Sequence, residues 1–279
     1  MMNKFQNSTI HIIGIGGIGM SGIARILHKN GFDVQGSDLT RTKTTEDLIS
    51  DGIRVFHGHH SSNLANAGVV VRSTAIKDDC VEVEFAKREG LELLERWQIL
   101  NYIMQGKRNI SVTGAHGKTT TTGLLGHIFS IGNKKPNILV GGIINNFSSN
   151  YVDGQSDLFI VEADESDATF TRIPSESAVI TNIDKEHLDF YKTYENICEH
   201  YRNFISNTAD DGITAINLDD RKMEDLYDSD QAKVITYSTE DPSADLFASN
   251  IRAEGKMQIF DIIFSEKFIK KSKLEYSEL

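Results

Sequence analysis

Strand and helix signals alternate along this chain, and the alternation predicts an α/β protein with parallel strands covered by helices on both faces. Two loops support that class. Each is rich in glycine, follows a β-branched run and precedes a stretch of helical periodicity, at residues 14–19 and again at 114–117. The first cycle opens with Thr9-Ile10-His11-Ile12-Ile13 as a strand. From Met20 to Lys29 the apolar positions Ile23, Ile26 and Leu27 recur at helical spacing, and Gly31 is placed to stop that helix. Strands follow at Phe32–Gly36, Ile53–Phe56 and Val69–Arg72, with helices over Val81–Arg88 and Glu95–Met104. A fresh strand at Asn109–Thr113 starts the second cycle, so a domain boundary falls near Met104–Arg108. Thr120–Ile131 and Tyr194–Ile205 read as helices, and Asp157–Val161, Ala178–Thr181, Ile213–Ile216, Lys233–Tyr237 and Gln258–Phe264 as strands. Ser265–Leu279 has no clear periodicity beyond Phe268-Ile269.

Composition narrows the class. A length of 279 residues suits two domains, and 29 Lys+Arg against 40 Asp+Glu leave a formal net charge of -11. That balance disfavours a nucleic-acid partner, which requires a concentrated basic face. It leaves room for small anionic ligands held by a few amides and one Lys. No run reaches the roughly eighteen apolar residues of a membrane helix. Polar residues 1–9 followed by a glycine-broken run do not make a signal peptide, so the expected location is cytoplasmic, with no membrane partner. Two cysteines, Cys80 and Cys198, fit a reducing compartment rather than a disulfide scaffold. Residues 210–245 hold eleven acids against three bases, and a solvated surface of loops and helix ends is expected there.

The first loop, Gly14-Ile15-Gly16-Gly17-Ile18-Gly19, carries G-x-G-x-x-G at 14, 16 and 19. Such a loop makes a tight turn, lets a pyrophosphate approach the backbone and offers amides at a helix N-terminus. Asp38 follows nineteen residues after Gly19, where an acid commonly meets a ribose hydroxyl. The pattern predicts a bound nucleotide and leaves NAD, FAD and UDP open.

The second loop runs from Thr113 through Gly114-Ala115-His116-Gly117-Lys118-Thr119-Thr120. It departs from strict G-x-x-x-x-G-K-[ST], because Val112 stands five before Gly117. The chemistry survives the shorter spacing. Gly114 and Gly117 let the backbone curl its amides toward phosphate oxygens. Lys118 offers a compact charge between β- and γ-phosphates, and the Thr119 hydroxyl faces Mg²⁺.

Glu162-Ala163-Asp164-Glu165-Ser166-Asp167 follows an apolar strand, at the edge where ligands bind in open α/β sheets. Glu162 stands right at the strand end and is the preferred carboxylate for the cation facing Thr119. His187 follows a later strand; on spacing alone it is no strong ligand, since Mg²⁺ prefers oxygen. The run His57-Gly58-His59-His60 suggests a transition metal, but no carboxylate or Cys partner falls at ligand spacing, so a polar surface loop is expected.

Taken in order, Gly14 through Ala24, Gly114 through Thr121, Glu162 through Asp167 and Thr181-Asn182-Ile183-Asp184 to His187 resemble the Mur ligases of bacterial peptidoglycan synthesis. Gly36-Ser37-Asp38, the Gly-His at 58–59 and Ser73-Thr74-Ala75-Ile76 are similar to that family too. The likeness is strongest to the member that joins L-alanine to UDP-N-acetylmuramate, with the member that attaches a tripeptide to the same sugar nucleotide as a near alternative. It implies a Rossmann-like domain over residues 1–106 and a P-loop ATPase-type domain over 107–279, incomplete at its end. The first would hold UDP-sugar through Gly14, Gly16, Gly17, Gly19, Asp38 and Ser73. The second would hold ATP through Gly114, Ala115, His116, Gly117, Lys118, Thr119 and Thr120. Family roles carried over by position make Lys118, Glu162 and His187 catalytic, with Thr119 and Glu162 holding one Mg²⁺ and His187 a second metal site. The implied reaction has two steps: ATP phosphorylates the lactyl carboxylate, and the amine then attacks the acyl phosphate. The family also carries a C-terminal domain that binds the amino acid. No counterpart is found in these residues, so the expectation is two-thirds of a three-domain enzyme, impaired alone or retained as a non-catalytic nucleotide-binding remnant.

Overall fold

A computed structural model describes residues 5, 8–147, 149–227, 234–266 and 268. In chain order the first elements are β1 (Thr9–Ile13), α1 (Ile18–Lys29), β2 (Val34–Asp38), α2 (Lys43–Ser50), β3 (Arg54–His57), β4 (Ala67–Arg72), α3 (Val81–Arg88), β5 (Glu92–Glu95) and α4 (Arg96–Met104). Then come β6 (Arg108–Thr113), α5 (Lys118–Ile131), β7 (Asn137–Ile144), β8 (Ser149–Val152), β9 (Leu158–Glu162) and β10 (Ser177–Ile180). The last are α6 (Leu188–Tyr191), α7 (Tyr194–Asn207), β11 (Thr214–Asn217), β12 (Val234–Ser238), β13 (Leu246–Glu254) and β14 (Met257–Phe264). The chain divides into two units that interleave in sequence. One comprises residues up to Arg108 with Thr122–Glu162, the other Asn109–Thr121 with residues from Ala163 onward.

In the first unit five parallel strands take the order β3-β2-β1-β4-β5. Chain direction across the sheet reverses between β1 and β4, a switch point at whose carboxyl edge ligands settle in such sheets. Ile10, Ile12 and Ile13 of β1 and Val69–Val71 of β4 are buried, as parallel central strands require. Ile18 starts α1 two residues before the periodicity predicts, and its end falls as expected: Asn30 caps it and Gly31 takes φ +85°. Short, polar α2 escapes the sequence reading because only Thr45 and Leu48 of it are buried. Glu95 belongs to β5 and caps α4 rather than lying inside that helix. The same unit contains β7 paired parallel to β9 and antiparallel to β8.

In the second unit β6, β10, β11, β12 and β13 run parallel in that order, and β14 closes antiparallel on β13. The expected parallel strand arrangement holds, with antiparallel pairing added at the β13–β14 hairpin and at β7–β8. Phe170, Tyr201 and Phe204 form the aromatic core beneath α7, with ring centroids 5.1 and 5.2 Å from Phe170. Thr193 caps α7 by accepting from the Asn196 amide at 3.2 Å. Replacing it, Thr193→Ala, is expected to lower stability by about 1 kcal/mol, read by urea denaturation at unchanged m.

The acidic stretch 210–245 is not merely a solvated surface. Asp219 accepts from the Ser238 and Thr239 hydroxyls and from the amides of Thr239 and Glu240. Asp220 accepts from the Ile183 amide, and buried Asp245 from Thr236. Burial disfavours the Asp219 charge, but the Ser238 and Thr239 donors outweigh it and hold the carboxyl below its usual 3.8. An acid held low stabilises the fold above its ordinary value and ceases to do so as pH falls through the lowered one. Wild type is thus expected to lose stability below pH 3.8 more steeply than Asp219→Asn; parallel losses in chemical denaturation would place the acid sensitivity elsewhere.

Among the described residues no helix is long and apolar enough to cross a membrane. Most of the tail Ser265–Leu279 lies outside the described residues.

Candidate active site

Two loops follow buried strands, one in each unit. In the first unit β1 ends at Ile13 and Gly14 turns the chain at φ +78°. The Gly14 and Ile15 amides both donate to the Ser37 carbonyl, at 2.8 and 3.1 Å, tying the loop to the end of β2. Gly16 donates to Asp38 Oδ2 at 2.9 Å, and a Cβ on Gly16 would lie 2.8 Å from that oxygen. Oδ1 of Asp38 accepts from Thr40. Asp38, expected at a ribose, therefore also clamps the glycine loop. Gly17 stands at the N-cap of α1, where no side chain caps the helix, and Gly19 lies in its first turn. Ser73, just after β4, reaches the same edge: its amide donates to Ile13 O at 3.1 Å, and its Cβ sits 3.1 Å from where a Gly14 Cβ would be.

Sequence reading missed Arg96. Its guanidinium lies 3.0 Å from the position of a Gly19 Cβ, and its buried Nε has no hydrogen-bond partner among the described residues. A half-buried cation beside the first turn of α1 fits an anion at that loop. Its distance of 77 residues from Gly19 along the chain hid it.

In the second unit β6 delivers Thr113 and the loop 114–117 to the N-terminus of α5. Gly114 adopts φ +137° and packs against the Thr181-Asn182 segment. The Ala115 amide donates to Asn182 O at 3.2 Å and the His116 amide to Asn182 Oδ1 at 2.7 Å. Those two amides, expected at phosphate oxygens, are spent on Asn182 in this conformation. The first helical bond is Thr121 N to Gly117 O at 2.9 Å. Lys118, Thr119 and Thr120 thus sit in the helix's first turn, where amides have no acceptor within the helix and the dipole favours anions.

Lys118 curls back over its own loop. Its Nζ donates to Gly114 O at 2.7 Å and to Glu165 Oε1 at 2.8 Å, and lies 2.7 Å from Glu165 Oε2. Glu165 is 6% exposed. Burial pushes its carboxyl above the usual range, against the opposing pull of Lys118. The Tyr191 hydroxyl donates to the Glu165 carbonyl and fixes the backbone there. On the other side His187 Nε2 lies 3.7 Å from Glu165 Oε1. His187 holds φ +54°, an uncommon conformation for a side-chain-bearing residue and one that gathers at functional sites. One ligand atom from each of Glu165, Glu186 and His187 falls within 4.8 Å of the others.

Glu165 is therefore the hub of this cluster, although strand-end placement favours Glu162. Glu162 ends β9 in the first unit, buried, with Oε2 accepting from the Gly141 amide at 2.8 Å. Asp164 and Asp167 accept from the amides of Ser166 and Thr169 and shape the loop. His116 Nε2 faces Asp184 at 3.7 Å and Glu186 at 3.9 Å. Lys222, bonded to Asp184 at 2.8 Å, holds that carboxyl down to about 2.

The chain matches two family models, Mur ligase family, catalytic domain, over residues 9–108, and Mur ligase middle domain over residues 112–276. It is 43% identical over 258 residues to the UDP-N-acetylmuramate–L-alanine ligases of Rickettsia felis and Rickettsia bellii, covering 92% of this chain and 54% of each of theirs. It thus spans about half the length of the curated relatives it matches. Among solved structures it is similar to the UDP-N-acetylmuramate-alanine ligase of Thermotoga maritima, at 27% identity and a TM-score of 0.82, over 92% of this chain and 58% of that one. It is also similar to the UDP-N-acetylmuramate:L-alanyl-γ-D-glutamyl-meso-diaminopimelate ligase from Neisseria meningitides, at 26% identity and a TM-score of 0.83, over 92% and 84% of the two chains. Two nucleotide-type loops on parallel sheets, with the family's sequence motifs upon them, lead to one conclusion: the chain belongs to the Mur ligase family.

Proposed function

We propose that this chain carries the sugar-nucleotide and ATP sites of a cytoplasmic, ATP-dependent ligase joining L-alanine to UDP-N-acetylmuramate. Residues 1–106 form the UDP-sugar domain in this reading, and residues 107–279 the ATP domain. One observation carries it: Lys118 at the N-terminus of α5 converges with Glu165 and His187 at the carboxyl edge of the second unit. The identity to L-alanine ligases supports the choice of substrate.

Gly14, Gly16, Gly17 and Gly19 shape the cradle for the diphosphate, with Ser73 and Arg96 beside it. Asp38 pins the cradle and offers its outer lone pairs to ribose. In the other unit Gly114 and Gly117 curl the loop, Ala115 and His116 lock it to Asn182, and the first turn of α5 presents Lys118, Thr119 and Thr120 to phosphates. Lys118 passes from Glu165 to the transferring phosphoryl group, where its charge offsets what develops there. The lactyl carboxylate attacks phosphorus and ADP leaves; the alanine amine then attacks the acyl carbon and phosphate leaves. Two carboxylates and an imidazole at Glu165, Glu186 and His187 fit a divalent cation, and the Thr119 hydroxyl at the start of α5 is offered to Mg²⁺. Bound Mg²⁺ would supply charge neutralisation on phosphate oxygens.

The test is phosphate release by the 279-residue chain supplied with ATP, Mg²⁺ and UDP-N-acetylmuramate. Release that rises on adding L-alanine supports the reading. Release that rises instead with the tripeptide L-alanyl-γ-D-glutamyl-meso-diaminopimelate assigns the sibling activity. Nucleotide binding with no release overturns catalysis by this chain and leaves a binding module.

A further inference from the structure

The run His57–His60, expected to be a surface loop without metal partners, does not stand alone in the fold. His59 Nδ1 lies 3.1 Å from Glu82 Oε2, and one ligand atom from each of His59, Cys80 and Glu82 falls within 4.8 Å of the others. The three residues come from two places in the fold. His59 follows β3, Cys80 is the N-cap residue of α3, and Glu82 lies in that helix's first turn.

Glu82 is fully buried and rigidly held from behind. Ser37 Oγ donates to Oε2 at 2.5 Å, Asn63 Nδ2 to Oε1 at 2.7 Å and the His60 amide to Oε1 at 3.3 Å. His11 is also fully buried; its Nδ1 is 3.2 Å from Gln35 Nε2, and its Nε2 points at Glu82 Oε2 from 3.6 Å. His59 and Cys80 complete the cluster from the more open side, His59 being 11% exposed and Cys80 a partly exposed free thiol.

From this geometry we infer that His59, Cys80 and Glu82 form a site for a zinc-type divalent cation, separate from both nucleotide loops. Nitrogen, sulfur and oxygen donors together suit Zn²⁺ or Co²⁺, whereas Mg²⁺ and Ca²⁺ select oxygen alone. Thiolate and carboxylate bring two negative charges to the cation, and the thiol proton leaves to water on binding. Ser37, Asn63 and the His60 amide orient the carboxylate, as groups behind a metal ligand do. The cation would tie the loop after β3 to the start of α3.

Chelator-stripped 279-residue chain titrated with Co²⁺ tests this. Expected are tetrahedral visible bands and a thiolate-to-cobalt charge-transfer band, saturating at one equivalent and displaced by Zn²⁺. Cys80→Ser, at a partly exposed position and nearly isosteric, should abolish the charge-transfer band and weaken Zn²⁺ binding at least tenfold. His59→Ala should weaken Zn²⁺ comparably, and Cys198→Ser should leave the band intact. The charge-transfer band separates this site from the carboxylate–histidine cluster at Glu165, which has no sulfur. A wild type without that band, or a band that survives Cys80→Ser or disappears in Cys198→Ser, overturns the assignment.

Discussion

Lys118→Ala is expected to lower alanine-dependent phosphate release about a thousandfold, equivalent to ~4 kcal/mol of lost transition-state stabilisation. The magnitude follows from where Nζ sits. The Lys118 side chain is 15% exposed, and Nζ is held by the carbonyl of Gly114 and by both oxygens of Glu165, so its charge acts with little help from water. Removing it also leaves the Glu165 carboxylate buried without its counter-charge, which by itself destabilises the loop. The double variant Lys118→Ala/Glu165→Gln separates the two effects. It should regain the stability lost by the single variant in thermal denaturation and regain none of the turnover. Near-normal turnover in Lys118→Ala would remove this residue from the mechanism.

Gly114→Ala should lower ATP affinity by about a hundredfold, while Gly117→Ala lowers it by no more than about tenfold. Both glycines have positive φ, at +137° and +81°, so both substitutions carry backbone strain of about 1–3 kcal/mol. Only Gly114 meets a second obstacle. A Cβ there would fall 2.1 Å from Thr181 Oγ1 and about as close as contact allows to the Asn182 backbone, at 3.0 and 3.1 Å, whereas at Gly117 no atom of the described residues beyond its chain neighbours lies within 4 Å. Relief of the clash pushes the loop away from Asn182, which holds the Ala115 and His116 amides. Titration calorimetry with a non-hydrolysable ATP analogue gives both affinities. Equal losses would mean that strain alone matters and that the contact with Thr181 and Asn182 does not position the loop.

Much of the architecture is legible from local pattern. Buried β1 and β4 show as runs of Ile and Val, and α7 shows through the spacing of Ile197, Tyr201, Phe204 and Ile205, all of them buried. Both glycine loops show because their conformation selects the residue type, as Gly14 at φ +78° and Gly114 at +137° demonstrate. Elements with weak local signals escape: α2 buries too little, and β7, β8 and β13 go unread, whereas β14 shows as the run Gln258–Phe264 despite exposed Phe260, Ile262 and Ile263. The acidic run after residue 210 shows the limit of composition, since net charge does not reveal that Asp219 and Asp245 are hydrogen-bond acceptors for specific turns.

By itself the sequence determined the α/β class, the strand–glycine–helix openings, the lysine at the start of α5 and, through its motifs, the family. Those features are encoded by neighbours in the chain: a turn selects glycine, and a buried parallel strand selects β-branched residues. Only the tertiary structure showed that Glu165, three residues beyond the strand-end Glu162, packs against the Lys118 amine and His187. It likewise decided that Arg96 lies beside Gly19 and that ligand atoms of His59, Cys80 and Glu82 fall within 4.8 Å of one another. These groups interact across space over a few ångströms, while Gly19 and Arg96 are 77 residues apart, Lys118 and Glu165 are 47 apart, and His59 and Cys80 are 21 apart, so no local spacing records the encounter.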